Sequence, residues 1–412
     1  MKKKILIVGN SPKGYALAKR FSEKNDVFVI PQSDTIKEFA ACADIREDSV
    51  KEILEFAVEN GIDMTIPVSE KAIDADIAKV FNNNNQPIFA PSAKASEIVS
   101  NKALAKKTMY KLRIPTPKFG IFEKNNLAAD YVKNQKIPFV IKTNEKNSSV
   151  VITSPNTAKN IFDMIYLQKN AKAIIEDYVY GTSFSYYALT DGYKALPIGS
   201  SLNYKFSLEG DGGQLTSGMG ACVPNYKLSI ENEYFIMDNV IYPTLEYLDM
   251  SGNPYLGIIG VNGILTEEGK IQILGWQTFM NDSDADAILS GISEDLYSLL
   301  DACIIGSFSD EVERVNINNS TSVSVVLVNK NKINNENVIN GLDMLDEDTL
   351  VSFYPSVQKN KYFELEACTG AVMVLTSTAS SISKAKEKVR SELSCINYNG
   401  VSYRKDICKN NF

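Results

Sequence analysis

The chain has 412 residues, 44% of them hydrophobic, and a formal net charge of −7. That length can bury the cores of two to four domains, and the acidic balance argues against a broad nucleic-acid surface. No stretch reaches transmembrane length, and the apolar run at 5–8 is too short for a signal core, so a cytoplasmic protein is expected.

Histidine is absent, which removes the commonest general base and transition-metal ligand. Chemistry would have to use carboxylates, Lys, Arg, a hard cation or a bound nucleotide. Six cysteines, at 42, 222, 303, 368, 395 and 408, show no metal-ligand spacing. They are expected to be unpaired, reduced and buried as small hydrophobes.

In chain order, KKILIVGNSPKGYALAKRF reads as a buried parallel strand, a Gly/Ser/Pro turn and a helix. Gly9 and Gly14 do not complete G-x-G-x-x-G, so a plain strand–helix turn is expected there. VFVIP (27–31), a helix at 48–61, DMTIPV (63–68) and QPIFAPS (86–92) continue an open α/β domain over 1–100. A helix is expected over 100–117, ending at a proline pair. Strands at 137–143 and 150–154, a helix at 156–168 and a strand at 173–179 suggest a small α+β lobe over 121–189. Asp191-Gly192 and Glu268-Gly269 mark hairpin turns, and 232–252 reads as helix. From 321, two apolar strands and a helix at 383–394 suggest a separate C-terminal domain over 311–412.

Six fragments in this order resemble one family. GDGGQLTSGMGACVP (210–224) is similar to a G/D-rich loop ending T-G-G-M-G-A-x-x-P, and SNKAL and PFVIK resemble S-K-A-F and P-I-V-I-K. IIEDYVYG resembles the adenine hinge I-E-E-F-x-x-G, IDMTIPVSE the stretch I-D-L-T-x-x-G-P-E, and SYRKDI (402–407) a C-terminal Y/C-R-K-D-I. Together they resemble the ATP-grasp ligases, and in detail the glycinamide ribonucleotide synthetases (phosphoribosylamine–glycine ligases). The resemblance implies a multidomain α/β and α+β fold: an open α/β N-terminal domain, an ATP-grasp body over 101–120 and 190–310, the inserted small lobe, and a C-terminal α/β domain.

It also implies site residues. Lys102 and Lys142 would neutralise ATP phosphates, with Glu176 and Val179 on the hinge and Ser183 beside the ribose. Glu70, Lys205, Asp211, Gly213, Thr216 and Gly218 would lie on the substrate side, Asp211 and Thr216 being the catalytic candidates. The implied ligands are ATP, glycine and phosphoribosylamine, with no nucleic-acid or membrane partner; a monomer and an oligomer of unknown size both stay open.

Three elements depart from the family pattern. TNEKNSSVV (143–151) replaces a glycine-rich phosphate loop, leaving Lys146 as a substitute for its lysine, and Gly181-Thr182-Ser183 replaces G-E-E. Where the family reads V-I-E-F-N-x-R-F-G-D-P-E, this chain reads ILGWQTFMNDSD, with Gly275 at the Glu position and Gln277 at the Asn position. Asp282 and Asp284 follow, as stand-in metal ligands or as an exposed acidic loop, the latter being the expectation. Lys13, in the diverged first turn, could meet a phosphate. Loss of anionic ligands argues against Mg²⁺. Two functions stay open: an ATP-dependent carboxylate–amine ligase of purine biosynthesis, or a non-catalytic paralogue that binds a nucleotide, a metabolite or a protein.

Overall fold

The structure, a computed structural model, describes residues 2–143, 149–167, 171–307, 315–331 and 337–409. The N-terminal region alternates β1 (Lys4–Val8), α1 (Pro12–Ser22), β2 (Asp26–Ile30), β3 (Ala41–Cys42), α2 (Val50–Asn60) and β4 (Met64–Pro67). Its sheet is parallel, in the order β3-β2-β1-β4. Ile5, Leu6, Ile7 and Val8 are all fully buried because helices cover both faces, which is why this strand reads as one apolar run. After β1 the chain turns at Gly9 (φ +129°), and a Cβ on Gly14 would meet the Gly9 carbonyl oxygen at 2.1 Å. The two glycines thus allow helix and turn to approach closely.

Helices α3 (Glu70–Asp74), α4 (Ile77–Asn83), α5 (Ala93–Ser100) and α6 (Lys102–Lys111) follow. The stretch at 86–92 contributes a single parallel bridge, Thr65 to Ile88. Asn101 caps α6, its side chain accepting from the Leu104 amide at 3.0 Å, and this sets Lys102 at the first helical position. The helix stops at Lys111, earlier than expected: Pro115 and Pro117 hold the residues before them extended.

A four-stranded sheet then forms from β5 (Phe119–Phe122), β6 (Phe139–Thr143), β7 (Ser149–Ile152) and β8 (Ala173–Asp177), in the order β5-β8-β6-β7. It is backed by α7 (Asn125–Val132) and the strongly amphipathic α8 (Pro155–Ile165), through Ala128, Ala158 and Phe162. The lobe's sheet ends at Asp177. The next strand, β9 (Thr182–Gly192), expected within the lobe up to 189, belongs to the large sheet instead, pairing antiparallel with the two strands that flank it there.

Among the described residues that sheet has nine strands. It includes β10 (Ala195–Leu208), β11 (Gly212–Val223), β12 (Tyr255–Leu265) and β13 (Ile271–Gln277). Between β11 and β12, α9 (Ile230–Ile236) and α10 (Tyr242–Met250) are joined by a π-helical turn at Met237–Ile241 with helical backbone at both junctions, so the expected helix is continuous and widens by one π turn just before Pro243. After β13 come α11 (Ala285–Gly291), α12 (Leu296–Ile304), β14 (Thr321–Asn329), β15 (Leu350–Phe353), the short pair β16 (Gln358–Lys359) and β17 (Leu365–Glu366), β18 (Gly370–Ala379), α13 (Ile382–Cys395) and β19 (Val401–Ser402).

The large sheet runs β13-β12-β9-β10-β11-β14-β18-β15, with β19 beside β14. The C-terminal strands are therefore not set apart, as expected, but continue the same sheet, because β11 pairs with β14 from Gly220–Val325 to Val223–Ser322. One apolar cluster also joins Ile7 and Leu17 to Tyr187, Leu196, Phe279, Ile288 and Leu299, fixing the N-terminal region to the large sheet. Each such fully buried side chain stabilises by roughly 1.5–3 kcal/mol. A further correction concerns the cysteines: Cys222 on β11 and Cys408 near the C-terminus, expected unpaired, are joined as a disulfide with Cα atoms 6.1 Å apart. No helix among the described residues is long and apolar enough to cross a membrane.

Candidate functional site

The small and large sheets border a cleft of about 790 Å³. Its walls come from α5 and α6, the edges of β6, β7 and β8, the facing ends of β10 to β13, and the first turn of α1. Lys102, Lys142, Glu176, Val179, Ser183, Glu70, Lys205, Thr216, Gly275, Gln277 and Asp282 all line it, so most of the sequence candidates converge.

At its centre Glu176, 1% exposed, takes two ammonium groups. Lys142 Nζ lies 2.8 Å from Oε2, and Lys106 Nζ lies 3.2 Å from Oε1. Burial pushes the Glu176 carboxyl up, but Lys142 and Lys106 together outweigh it and hold the group below its ordinary value. Glu176 is thus a counter-ion for two lysines. Lys106 was not among the sequence candidates. It also donates to Thr116 Oγ1 at 2.6 Å, and burial lowers its pKa to about 8. The one signal for it was its spacing: four residues after Lys102, it shares that lysine's helix face. Lys102 is likewise brought to about 8, by burial and by the charge of Lys142, against the opposing pull of Glu176 and Glu70.

On the opposite wall, Lys205 Nζ donates to the Ser217 carbonyl at 3.3 Å and to Asn281 Oδ1 at 3.4 Å. Burial lowers its pKa, with Asp284 opposing. Thr216 donates its hydroxyl to the Lys205 carbonyl at 2.9 Å and accepts from the Gly218 amide at 3.1 Å, so its oxygen shapes the hairpin. Gly218 abuts the acidic loop, where a Cβ would meet Ser283 Oγ at 2.6 Å. Asp211 and Gly213 are not part of the cleft lining. Both sit exposed near the β10–β11 turn, where Asp211 meets Arg404 Nη1 at 3.1 Å. A catalytic place for Asp211 is therefore not met by this geometry. Lys13 lines the cleft, and Lys146 lies outside the described residues.

The acidic loop is not the exposed one expected. Asp284 is fully buried, and its Oδ2 accepts from Tyr187 Oη (2.9 Å), Ser201 Oγ (2.6 Å), Asn203 Nδ2 (3.1 Å) and Asn281 Nδ2 (3.2 Å). Asp282 Oδ1 accepts the Lys13 amide at the start of α1, at 3.1 Å. Asp286 is buried as well, and desolvation raises its carboxyl to about 7. These carboxylates tie the loop to the sheet and to α1, because burying a charge requires donors around it.

Gly275 and Gln277 stand at the positions that the resemblance aligns with the metal ligands. Gly275 supplies no ligand, and a Cβ built there would meet nothing within 4 Å. Gln277 Nε2 donates to Tyr187 Oη at 3.0 Å. Among the described residues no group of three or more His, Cys, Asp or Glu side chains could hold an ion. A hard cation needs several oxygens, usually anionic ones. Lys102, Lys106 and Lys142 gather on one wall, beside the backbone of the hinge.

Residues 3–98 match the N domain of phosphoribosylglycinamide synthetase, and residues 100–285 match its ATP-grasp (A) domain. The chain is 27% identical to the phosphoribosylamine–glycine ligase of Halalkalibacterium halodurans, across 98% of this chain and 96% of that one. It is 28% identical to that of Neisseria meningitidis serogroup A, across 98% of both chains. In fold it is similar to phosphoribosylamine–glycine ligase from Thermotoga maritima (TM-score 0.82, 19% identity, 98% and 100% covered). It is also similar to the biotin carboxylase domain of Hydrogenobacter thermophilus 2-oxoglutarate carboxylase, solved with MgADP, ADP and bicarbonate (TM-score 0.72, 14% identity, 98% and 92% covered). With both domain models matched in order over most of its length, the chain belongs to the phosphoribosylamine–glycine ligases, the ATP-grasp family of purine biosynthesis.

Proposed function

We propose that this chain is a nucleotide-binding member of its family that does not sustain rapid ligation. The cleft takes ATP or ADP, with the phosphates against Lys102 and Lys142 and the base along the hinge at Val179. Family chemistry phosphorylates a carboxylate, and phosphoryl transfer depends on positioning and charge neutralisation. A metal contributes several kcal/mol of that stabilisation, hence several decades of rate. The observation that carries the reading is Gly275: it faces open space on β13, while the carboxylates that follow it are engaged by Lys13, Tyr187, Ser201 and Asn203.

The test pairs binding with turnover. Calorimetric titration with ATP should give saturable binding that changes little when Mg²⁺ is added. ADP release dependent on glycine and phosphoribosylamine should be weak or absent in the same preparation. Robust turnover would establish the competing reading, an active ligase, which the retained Lys102, Lys142, Lys205 and Thr216 favour. Absence of nucleotide binding would refute both.

A further inference from the structure

The R-K-D segment that closes the sequence pattern lies outside the cleft, and it forms one wall of a second cavity. This cavity, of about 280 Å³, sits between α13, β14 and the C-terminal segment. Its floor is apolar, made by Val323, Val325, Val389, Leu393 and Ile407. Four cations line it: Lys386, Arg390, Lys405 and Lys409. Lys386 Nζ donates to the Cys408 carbonyl and Arg390 Nη2 to the Lys405 carbonyl, each at 3.3 Å, which holds both side chains along the wall. Among the described residues no carboxylate lies within ion-pair distance of any of the four. Arg404 is different: it is neutralised by Asp406 and Asp211 and clasps the β10–β11 turn, so it belongs to the frame of the cavity.

Solvated lysines scattered on a surface are ordinary. Four cations with no carboxylate at ion-pair distance among the described residues, set around a concave apolar floor in a chain of net charge −7, are not explained by solvation alone. An anion there would relieve their mutual repulsion, and Arg390 offers the planar fork suited to phosphate or carboxylate. The volume lies at the low end of ligand sites, which limits the occupant to a small molecule.

We infer that this cavity is a second ligand site, one that binds a small organic anion with its apolar body on the valine–leucine–isoleucine floor and its charged head among Lys386, Arg390 and Lys405. This does not rest on nucleotide binding in the cleft.

The probe is phenyl phosphate, titrated calorimetrically into the full chain, with benzyl alcohol and inorganic phosphate as the body alone and the head alone. Saturable binding of phenyl phosphate is expected, weakened by added salt and tighter than either part. The Lys386→Gln, Lys405→Gln double variant should lose about tenfold or more in affinity, whereas Lys142→Ala, which alters only the cleft, should leave it in place. Lys405→Glu, a change on the exposed rim, serves as the second variant should the double change disturb folding, and it should weaken binding likewise. No saturable binding, binding indifferent to the Lys386 and Lys405 changes, or binding lost with Lys142→Ala would each overturn the assignment.

Discussion

Lys142 Nζ and Glu176 Oε2 are 2.8 Å apart on neighbouring strands of the small sheet, and Lys106 approaches the other carboxylate oxygen from α6. One buried anion thus orders two cations from different elements, so that the cleft holds its positive charge in place without a bound phosphate. Removing the anion should be costly. Glu176→Gln leaves Lys106 buried without a counter-ion, and breaking a buried pair costs roughly 3–5 kcal/mol. The expected outcome is a clear fall in unfolding temperature by scanning calorimetry; a loss under about 1 kcal/mol would mean that the pair behaves as a solvent-exposed one.

Opposite pH trends should separate binding from stability. Lys102 and Lys106 have pKa values near 8 in the folded chain, against about 10.4 when unfolded. Between these values the unfolded chain carries more protons, so these two groups make stability rise as pH rises from about 8 to about 10. Nucleotide affinity should move the other way, falling as pH passes about 8 and Lys102 loses its charge. Lys102→Arg keeps its charge throughout and should flatten the fall in affinity, measured by titration with ADP. A wild-type affinity level from pH 7 to pH 9 would remove Lys102 from the phosphate site.

Gly275→Glu with Gln277→Asn should create a metal response. The new side chain at 275 enters open space, so steric cost is small. Losing the Gln277–Tyr187 hydrogen bond costs about 0.5–1.5 kcal/mol. Trp276, the only tryptophan, lies between the two positions, 4% exposed, with no hydrogen-bond partner for its Nε1. Its fluorescence should be indifferent to Mg²⁺ in the wild type and become Mg²⁺-dependent with nucleotide in the double variant. A tight Mg²⁺-dependent change in the wild type would defeat the proposal that the metal position is empty of ligands.

Asp284→Ala should act on stability and leave metal response untouched. Four donors converge on one buried oxygen, and the substitution strands the Tyr187 and Ser201 hydroxyls, while Asn203 and Asn281 keep other acceptors. Each unsatisfied group costs about 1–3 kcal/mol before relaxation, so a loss on the order of 3–5 kcal/mol is expected, with Asp284→Asn intermediate. Thermal unfolding with and without Mg²⁺ checks this: stabilisation of the wild type by the ion, abolished in the variant, would restore Asp284 as a ligand.

The sequence alone determined what depends on neighbouring residues. An apolar run such as 5–8 announces a strand covered on both faces, and lysines embedded in recognisable motifs, Lys102 and Lys142, reach the cleft. The tertiary structure decided what depends on distant partners. Asp284 is a buried acceptor rather than a surface acid because Tyr187, 97 residues away, and Ser201 and Asn203 deliver their donors to it. Asp211 lies beyond the cleft because Arg404, 193 residues on, meets it at the turn. The strand β9 joins the large sheet, Cys222 meets Cys408, and Lys106 becomes the second partner of Glu176 for the same reason. Composition and spacing set which groups a segment can offer, but burial and pairing set their charge and role, and those arise only when separate strands and helices close on one another.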